Sequence, residues 1–172
     1  LHYNTGKRIS SGLIKLGHNV LNISDRDILQ QSKSIFDLDG SKSLNAKIIK
    51  NHKNFEADIV ILGHADAVNI DTINTLKKIN NVKICQWFLD PIIPGGPDYY
   101  KNFQRINKFA NMIDATFLTT SPDCVSPKLH NAYFIPNPTD ESFETLEVYN
   151  NKPSKDLFFA MSHGVHRGVL KK

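Results

Sequence analysis

Hydrophobic positions along this chain switch repeatedly between two spacings. Consecutive or alternating apolar residues fill 18–24 (HNVLNIS), 57–63 (ADIVILG), 82–89 (VKICQWFL), 115–119 (ATFLT) and 132–136 (AYFIP). Between these runs apolar residues recur three and four apart, as in Ile9, Leu13 and Leu16, or Leu44, Ile48 and Ile49. Ile73, Leu76 and Ile79 repeat the pattern, as do Phe103, Ile106 and Phe109. The first spacing predicts strands and the second predicts amphipathic helices. Strands alternating with helices predict an α/β fold: a Rossmann-like parallel sheet with crossover helices on both faces.

Boundary signals sharpen the elements. Asn4-Thr5 is placed to cap a first helix and Gly17 to stop it. A second helix is expected over 41–55, a third capped by Asp71, a fourth over 99–112, and a short one near 123–130. Residues 28–40 carry no clear period. The helix that ends at Gly17 and feeds the run 18–24 reads as the second half of a βαβ unit, whose first strand would precede Leu1. Residues 1–138 read as one domain and 139–154, with Pro153, Asn150 and Asn151, as a linker. Residues 155–172 read as the start of a second αβ domain, with a strand over 156–161 and a turn into a helix over 164–168. The chain reads as an internal fragment, since it starts on Leu1 and stops within an apparent helix.

Polar residues wait at the carboxyl ends of the predicted strands, where parallel sheets bind ligands. Asp25 and Arg26 follow 18–24, His64 and Asp66 follow 57–63, Asp90 follows 82–89, and Asn137 follows 132–136. Asp and His are residue types that accept a proton from a hydroxyl, so Asp90 and His64 are the catalytic candidates. Asp90 also has a plain reading as a turn residue before Pro91, and His64 as a loop histidine. Asp25-Arg26-Asp27 reads either as a self-contained ion cluster or as a contact to a ligand or second domain. Trp87 and Phe103 read as core, while Tyr99 and Tyr100 remain candidates for an aromatic platform.

Composition narrows the picture slightly. The chain has 172 residues with 40% hydrophobic and 22% charged content, ordinary for a globular domain. Its net charge is +4, but the lysines are scattered, so a solvated basic surface is favoured over a nucleic-acid site. A weak attraction to anionic lipid fits the same charge. No apolar run reaches membrane-spanning length. Cys85 and Cys124 lack metal or disulfide spacing, which places the chain by default in a reducing cytoplasm. His163 and His166 lack a third ligand, so no metal site is expected.

Several segments share a family flavour. Residues 134–143 (FIPNPTDESF) resemble the I-P-N-x-x-D-x-x-F segment that leaves the N-terminal domain of GT-B glycosyltransferases, with Pro138 where Gly is commoner. Residues 7–20 are similar to the family's K-R-I-x-x-G-L-x-x-x-G-H-x-V pattern, and 57–61, 87–91 and 112–119 resemble later strands of bacterial and spore-coat relatives. Residues 155–164 resemble the opening of the donor-binding domain. The likeness is diffuse but spans most of the chain in the right order. It implies transfer of a sugar from a nucleotide-sugar donor to a polysaccharide, lipid-linked or protein acceptor, as in cell-envelope polysaccharide biosynthesis. It implies no tightly bound cofactor and a cytoplasmic enzyme, peripheral to the inner face of the membrane where its acceptor is lipid-linked. Asp90 and His64 would be catalytic, and Asp66, Asp25, Arg26 and Asn137 would meet the acceptor. Gly164, His166, Arg167 and Gly168 would hold the donor diphosphate, through backbone N–H groups at a helix start and the Arg167 charge. The fragment alone is expected to be inactive.

Two other classes fit the residues less closely. A non-catalytic α/β receiver or ligand-binding domain would also carry strand-end aspartates, but a receiver needs a lysine at a strand end. A nucleotide-sugar-modifying Rossmann enzyme would need a Gly-rich loop after a strand upstream of Leu1.

Overall fold

The computed structural model describes residues 5–96 and 98–139. Four strands build one sheet: β1 (Ile59–Leu62), β2 (Lys83–Phe88), β3 (Ala115–Leu118) and β4 (Ala132–Phe134). They lie in the order β1-β2-β3-β4, and each of the three pairings is parallel. Parallel neighbours need a crossover. Helix α4 (Ile70–Asn80) carries the chain from β1 to β2, and α5 (Tyr99–Asn107) from β2 to β3. Helices α1 (Thr5–Lys15), α2 (Asp25–Gln31) and α3 (Ser41–Phe55) precede the sheet. The class is therefore α/β with an all-parallel sheet, consistent with a Rossmann-like fold. The compact unit containing these elements spans Leu1–Pro138, and Thr139–Lys172 group separately. The expected linker and second-domain start, 140–172, lie outside the described residues.

Helix ends follow from local chemistry. Gly17 takes φ +88, and the N–H groups of Gly17 and His18 donate to Ile14 and Leu13, closing α1 with two reversed-turn hydrogen bonds. Helix α4 starts two residues earlier than expected. Asn69 is its N-cap residue, and Asp71 sits in the first turn, where its charge suits the helix dipole. The buried Asn45 side chain joins α3 to this turn. Its Nδ2 donates to Ser41 O and Ala67 O, and its Oδ1 accepts from Asn69 N and Thr72 Oγ1. The helix expected over 99–112 ends at Asn107 and continues in turns. The helix expected near 123–130 is a single 3-10 turn at Pro122–Cys124.

Residues 18–24 form no strand, which corrects one of the five expected. A strand exists only with a hydrogen-bonded neighbour, and among the described residues β1 has only β2 beside it. Asn22 instead donates to Ser10 Oγ of α1, and Leu21 and Ile23 stay exposed.

The core gathers on one face of the sheet. Val60, Leu62 and Ile84 pack with Ile73 and Leu76 of α4, Ile48 and Ile49 of α3, and Phe109 and Ile113. Phe88 and Leu118 pack with Ile106 and Phe103 of α5, Ile92 and Val125. On the other face Trp87 is buried, but Ile59, Ile61 and Tyr133 are exposed. Of the helices expected on both faces, α3, α4 and α5 cover the first face.

Asp114 ties β3 to β2 at the end opposite the strand exits. Its carboxylate accepts from Ile84 N at 2.9 Å and Lys83 Nζ at 3.3 Å, with Lys77 Nζ at 3.6 Å. The backbone hydrogen bond from Ile84, opposed by burial and aided by the two lysines, holds its pKa below the ordinary aspartate value. A depressed folded pKa gives stability that is present above the unfolded value, about 3.9, and lost as pH falls through the folded one. Asp114→Ala should lower unfolding free energy near neutral pH by about 1–3 kcal/mol, because Ile84 N–H loses its acceptor. Denaturation midpoints followed down to acid pH should show the gap from wild type closing as Asp114 protonates.

Candidate functional site

The site starts at the exits of β1 and β2, which run side by side to the same edge. After β1 the chain passes through Gly63 and His64 to Ala65. Ala65 takes φ +49 and is buried. A left-handed alanine is strained. It turns the backbone between His64 and Asp66, and Val68 N donates back to Ala65 O to close the turn.

The exit of β2 is held more heavily. Thr119 Oγ1 donates to Leu89 O at 2.8 Å, and Ile92 N donates to Thr120 Oγ1 at 3.1 Å. Asn102 of α5, itself buried, donates to Pro91 O at 3.3 Å. Ile92 is fully buried and anchors the loop beyond Asp90. Asp90 therefore projects from a loop fixed on both sides.

His64 and Asp90 meet. His64 Nε2 lies 3.3 Å from Asp90 Oδ2, and the two side chains are 35% and 45% exposed. The His64 ring also rests against Phe88, with centroids 5.1 Å apart. The imidazole thus has a carboxylate near one edge and a tilted aromatic ring beside it, and stays partly open to solvent. Nε2 faces the Asp90 carboxylate at ion-pair distance, and in the neutral ring one nitrogen is a donor and the other an acceptor. The pair can take up one proton, and Asp90 balances the imidazolium that results.

The other candidates fall in different places. Asp66 leaves the same loop as His64 but is engaged by α5. Arg105 Nε and Nη2 reach its two carboxylate oxygens, each at 2.8 Å. Lys108 Nζ donates to Asp66 O and Val68 O, so α5 clamps the β1–α4 loop from two sides. Burial pulls the Lys108 pKa below the ordinary lysine value, opposed by the Asp66 carboxylate. Asp25 and Arg26 lie in the first turn of α2, where Asp25 Oδ1 accepts from Arg26 N. Asn137 lies exposed three residues past β4, next to Pro138, whose carbonyl accepts from Arg8 Nη1 at 3.4 Å. Gly164, His166, Arg167 and Gly168 lie outside the described residues.

Several supporting residues escaped sequence reasoning. Asn102 and Ile106 are one turn apart on α5, so a polar residue on the buried stripe was the available signal. Arg105 and Lys108 gave none, since basic residues late in a helix usually meet solvent. Among the aromatics, Trp87 is buried and Phe103 packs on the core, as expected; Tyr99 packs there too, and its hydroxyl donates to Ser126 O. Tyr100 is 80% exposed with its ring edge-on to Tyr99. Burial, with the Asp114 charge, raises the Cys85 pKa, so its thiol is no neutral-pH nucleophile. Among the described residues no three His, Cys, Asp or Glu side chains converge as metal ligands.

No family model matches the chain, and no similar curated protein or solved structure was found.

Proposed function

We propose that this chain is the acceptor-side domain of a GT-B glycosyltransferase, with the start of its donor domain. The intact protein moves a sugar from a nucleotide sugar to a hydroxyl of a polysaccharide, lipid-linked or protein acceptor in the cytoplasm. The observation that carries this reading is the meeting of His64 and Asp90 at the carboxyl ends of neighbouring parallel strands. The order of the sequence segments that resemble the family supports it. His64 Nδ1 takes the proton of the acceptor hydroxyl while that oxygen bonds to the anomeric carbon. The bond from that carbon to the donor diphosphate breaks, and the nucleoside diphosphate leaves. Asp90 holds the ring and stabilises its positive charge, so the two catalytic candidates named from the sequence act as a pair. Asn137, at the exit of β4, is a contact for the acceptor at the same sheet edge.

The receiver alternative lacks support at the strand exits, which carry His64, Asp90, Thr119 and Asn137 and no lysine.

On the donor side, Arg167 supplies charge to the leaving diphosphate. Calorimetry with nucleoside diphosphates on the intact protein tests it. Arg167→Ala should weaken binding by about tenfold, the worth of one charge-assisted hydrogen bond. The loss should shrink at high salt if the contact is exposed. Equal affinities would leave Arg167 a surface residue and remove it from the site.

A further inference from the structure

Residues 33–40, which show no period in the sequence, form a fixed apolar protrusion. Ile35, Phe36 and Leu38 are 87%, 86% and 81% exposed. Single exposed apolar residues are ordinary, but three together in one loop mark a contact surface. The loop is well braced. Ser34 N donates to Asp37 O and Asp37 N to Ser34 O, closing a tight turn with Ile35 and Phe36 at its tip. Gly40 takes φ +77, and a Cβ there would lie 2.5 Å from Leu29 O, so only glycine lets the loop pack against α2.

Charge tells what the protrusion meets. Its two carboxylates are both engaged by backbone N–H groups, Asp37 buried and Asp39 at the surface. Asp37 accepts from the N–H groups of Lys42 and Ser43, and Asp39 from that of Ser41, so both serve the start of α3. The adjoining helix face is basic. Helix α3 holds Lys42, Lys47, Lys50 and Lys53, all exposed, and no Asp or Glu. Lys42, Lys50 and Lys53 recur at i, i+8 and i+11, which places them on one stripe of the helix. Lys42 Nζ donates to Phe36 O at 3.2 Å, joining that stripe to the apolar tip. A protein groove would need no such lysine row, and an apolar tip adds nothing to binding a phosphate backbone. An anionic bilayer uses both, since one shallow apolar insertion and a polybasic surface together give stable peripheral binding.

We infer that Ile35, Phe36 and Leu38 insert into the headgroup region of an anionic membrane while the lysine face of α3 lies against it. This surface shares no residue with the His64–Asp90 pair, and its failure would leave the proposed activity untouched. Among the described residues no helix is long and apolar enough to cross a membrane, so the attachment is interfacial.

Vesicle flotation of the full chain tests it, using phosphatidylcholine vesicles with or without about 30% phosphatidylglycerol. The wild type should float with the anionic vesicles and not with the neutral ones. Ile35→Ser/Phe36→Ser should reduce partitioning about tenfold or more, from the apolar area no longer buried. Lys50→Glu/Lys53→Glu should abolish the preference for phosphatidylglycerol. These side chains are exposed, so circular dichroism should stay unchanged. The emission of a Phe36→Trp variant should shift to the blue when anionic vesicles are added. A wild type that stays unbound would overturn the inference. So would an Ile35→Ser/Phe36→Ser variant that floats like wild type, or an unshifted tryptophan on bound protein. A dimer in sedimentation velocity that the same double variant dissolves, without vesicle binding, would assign the tip to a second copy instead.

Discussion

Asp90→Asn should lower turnover of the intact protein by about 10²-fold or more, the usual worth of a positioned acid–base group. Asparagine keeps the shape of the side chain and an oxygen for His64 Nε2, 3.3 Å away in the wild type. It removes the negative charge that, in the proposed transfer, balances the imidazolium as the acceptor proton arrives. His64→Gln should cost a similar factor. The double variant should cost little more than either single change, because the two residues act as one unit. Asp90 is 45% exposed and its loop is held by Ile92, Thr119, Thr120 and Asn102. Its substitution should therefore leave the melting temperature near that of wild type. A loss confined to thermal stability would make Asp90 a turn residue only.

Phe88→Ala should have the largest effect on folding, about 3–5 kcal/mol lost in urea or guanidinium titrations. Phe88 is fully buried and sits where β2, α5 and the Asp90 loop meet, packed with Ile92, Ile106, Leu118 and Val125. Removing the ring opens a cavity that the paired β3 strand and the packed α5 residues cannot close. It also removes the surface on which His64 rests. Phe88→Leu separates the two roles. It restores most of the volume, so stability should fall by about 1.5 kcal/mol or less, while activity should fall further than that loss explains. A Phe88→Ala variant as stable as wild type would contradict the core described here.

The sheet was legible because its strands are apolar at consecutive positions. Residues 59–62, 83–88, 115–118 and 132–134 all fall inside runs read from the sequence. Helix α3 was read to the residue, since Leu44, Ile48 and Ile49 repeat at helical spacing between Gly40 and Glu56. The run 18–24 misled for a physical reason. Alternation records which face is apolar, but a strand also needs a partner, and none is beside it among the described residues. The Asp71 cap misled because Asn69 starts the helix without using its own side chain; Asn45, far away in sequence, receives the Asn69 N–H.

The meeting of His64 and Asp90 was legible from position alone, since neighbouring parallel strands bring their exits together. Asp66 shows the limit of that logic. It shares the His64 loop, yet the left-handed Ala65 stands between them and Arg105 takes the carboxylate. Nothing in the local sequence reports a partner 39 residues away. The apolar tip at Ile35 and Phe36 escaped for the opposite reason, because a tight turn with outward side chains leaves no period to read.

The most direct test of the proposed transfer is release of nucleoside diphosphate. The intact protein would be incubated with a panel of nucleotide sugars, with and without polysaccharide and lipid-linked hydroxyl acceptors, and the diphosphate measured. A glycosyltransferase acting through His64 and Asp90 should release diphosphate from one donor, faster with the right acceptor, and Asp90→Asn should suppress that release. Failure to bind or turn over any nucleotide sugar in the panel, by folded protein, would contradict the assignment.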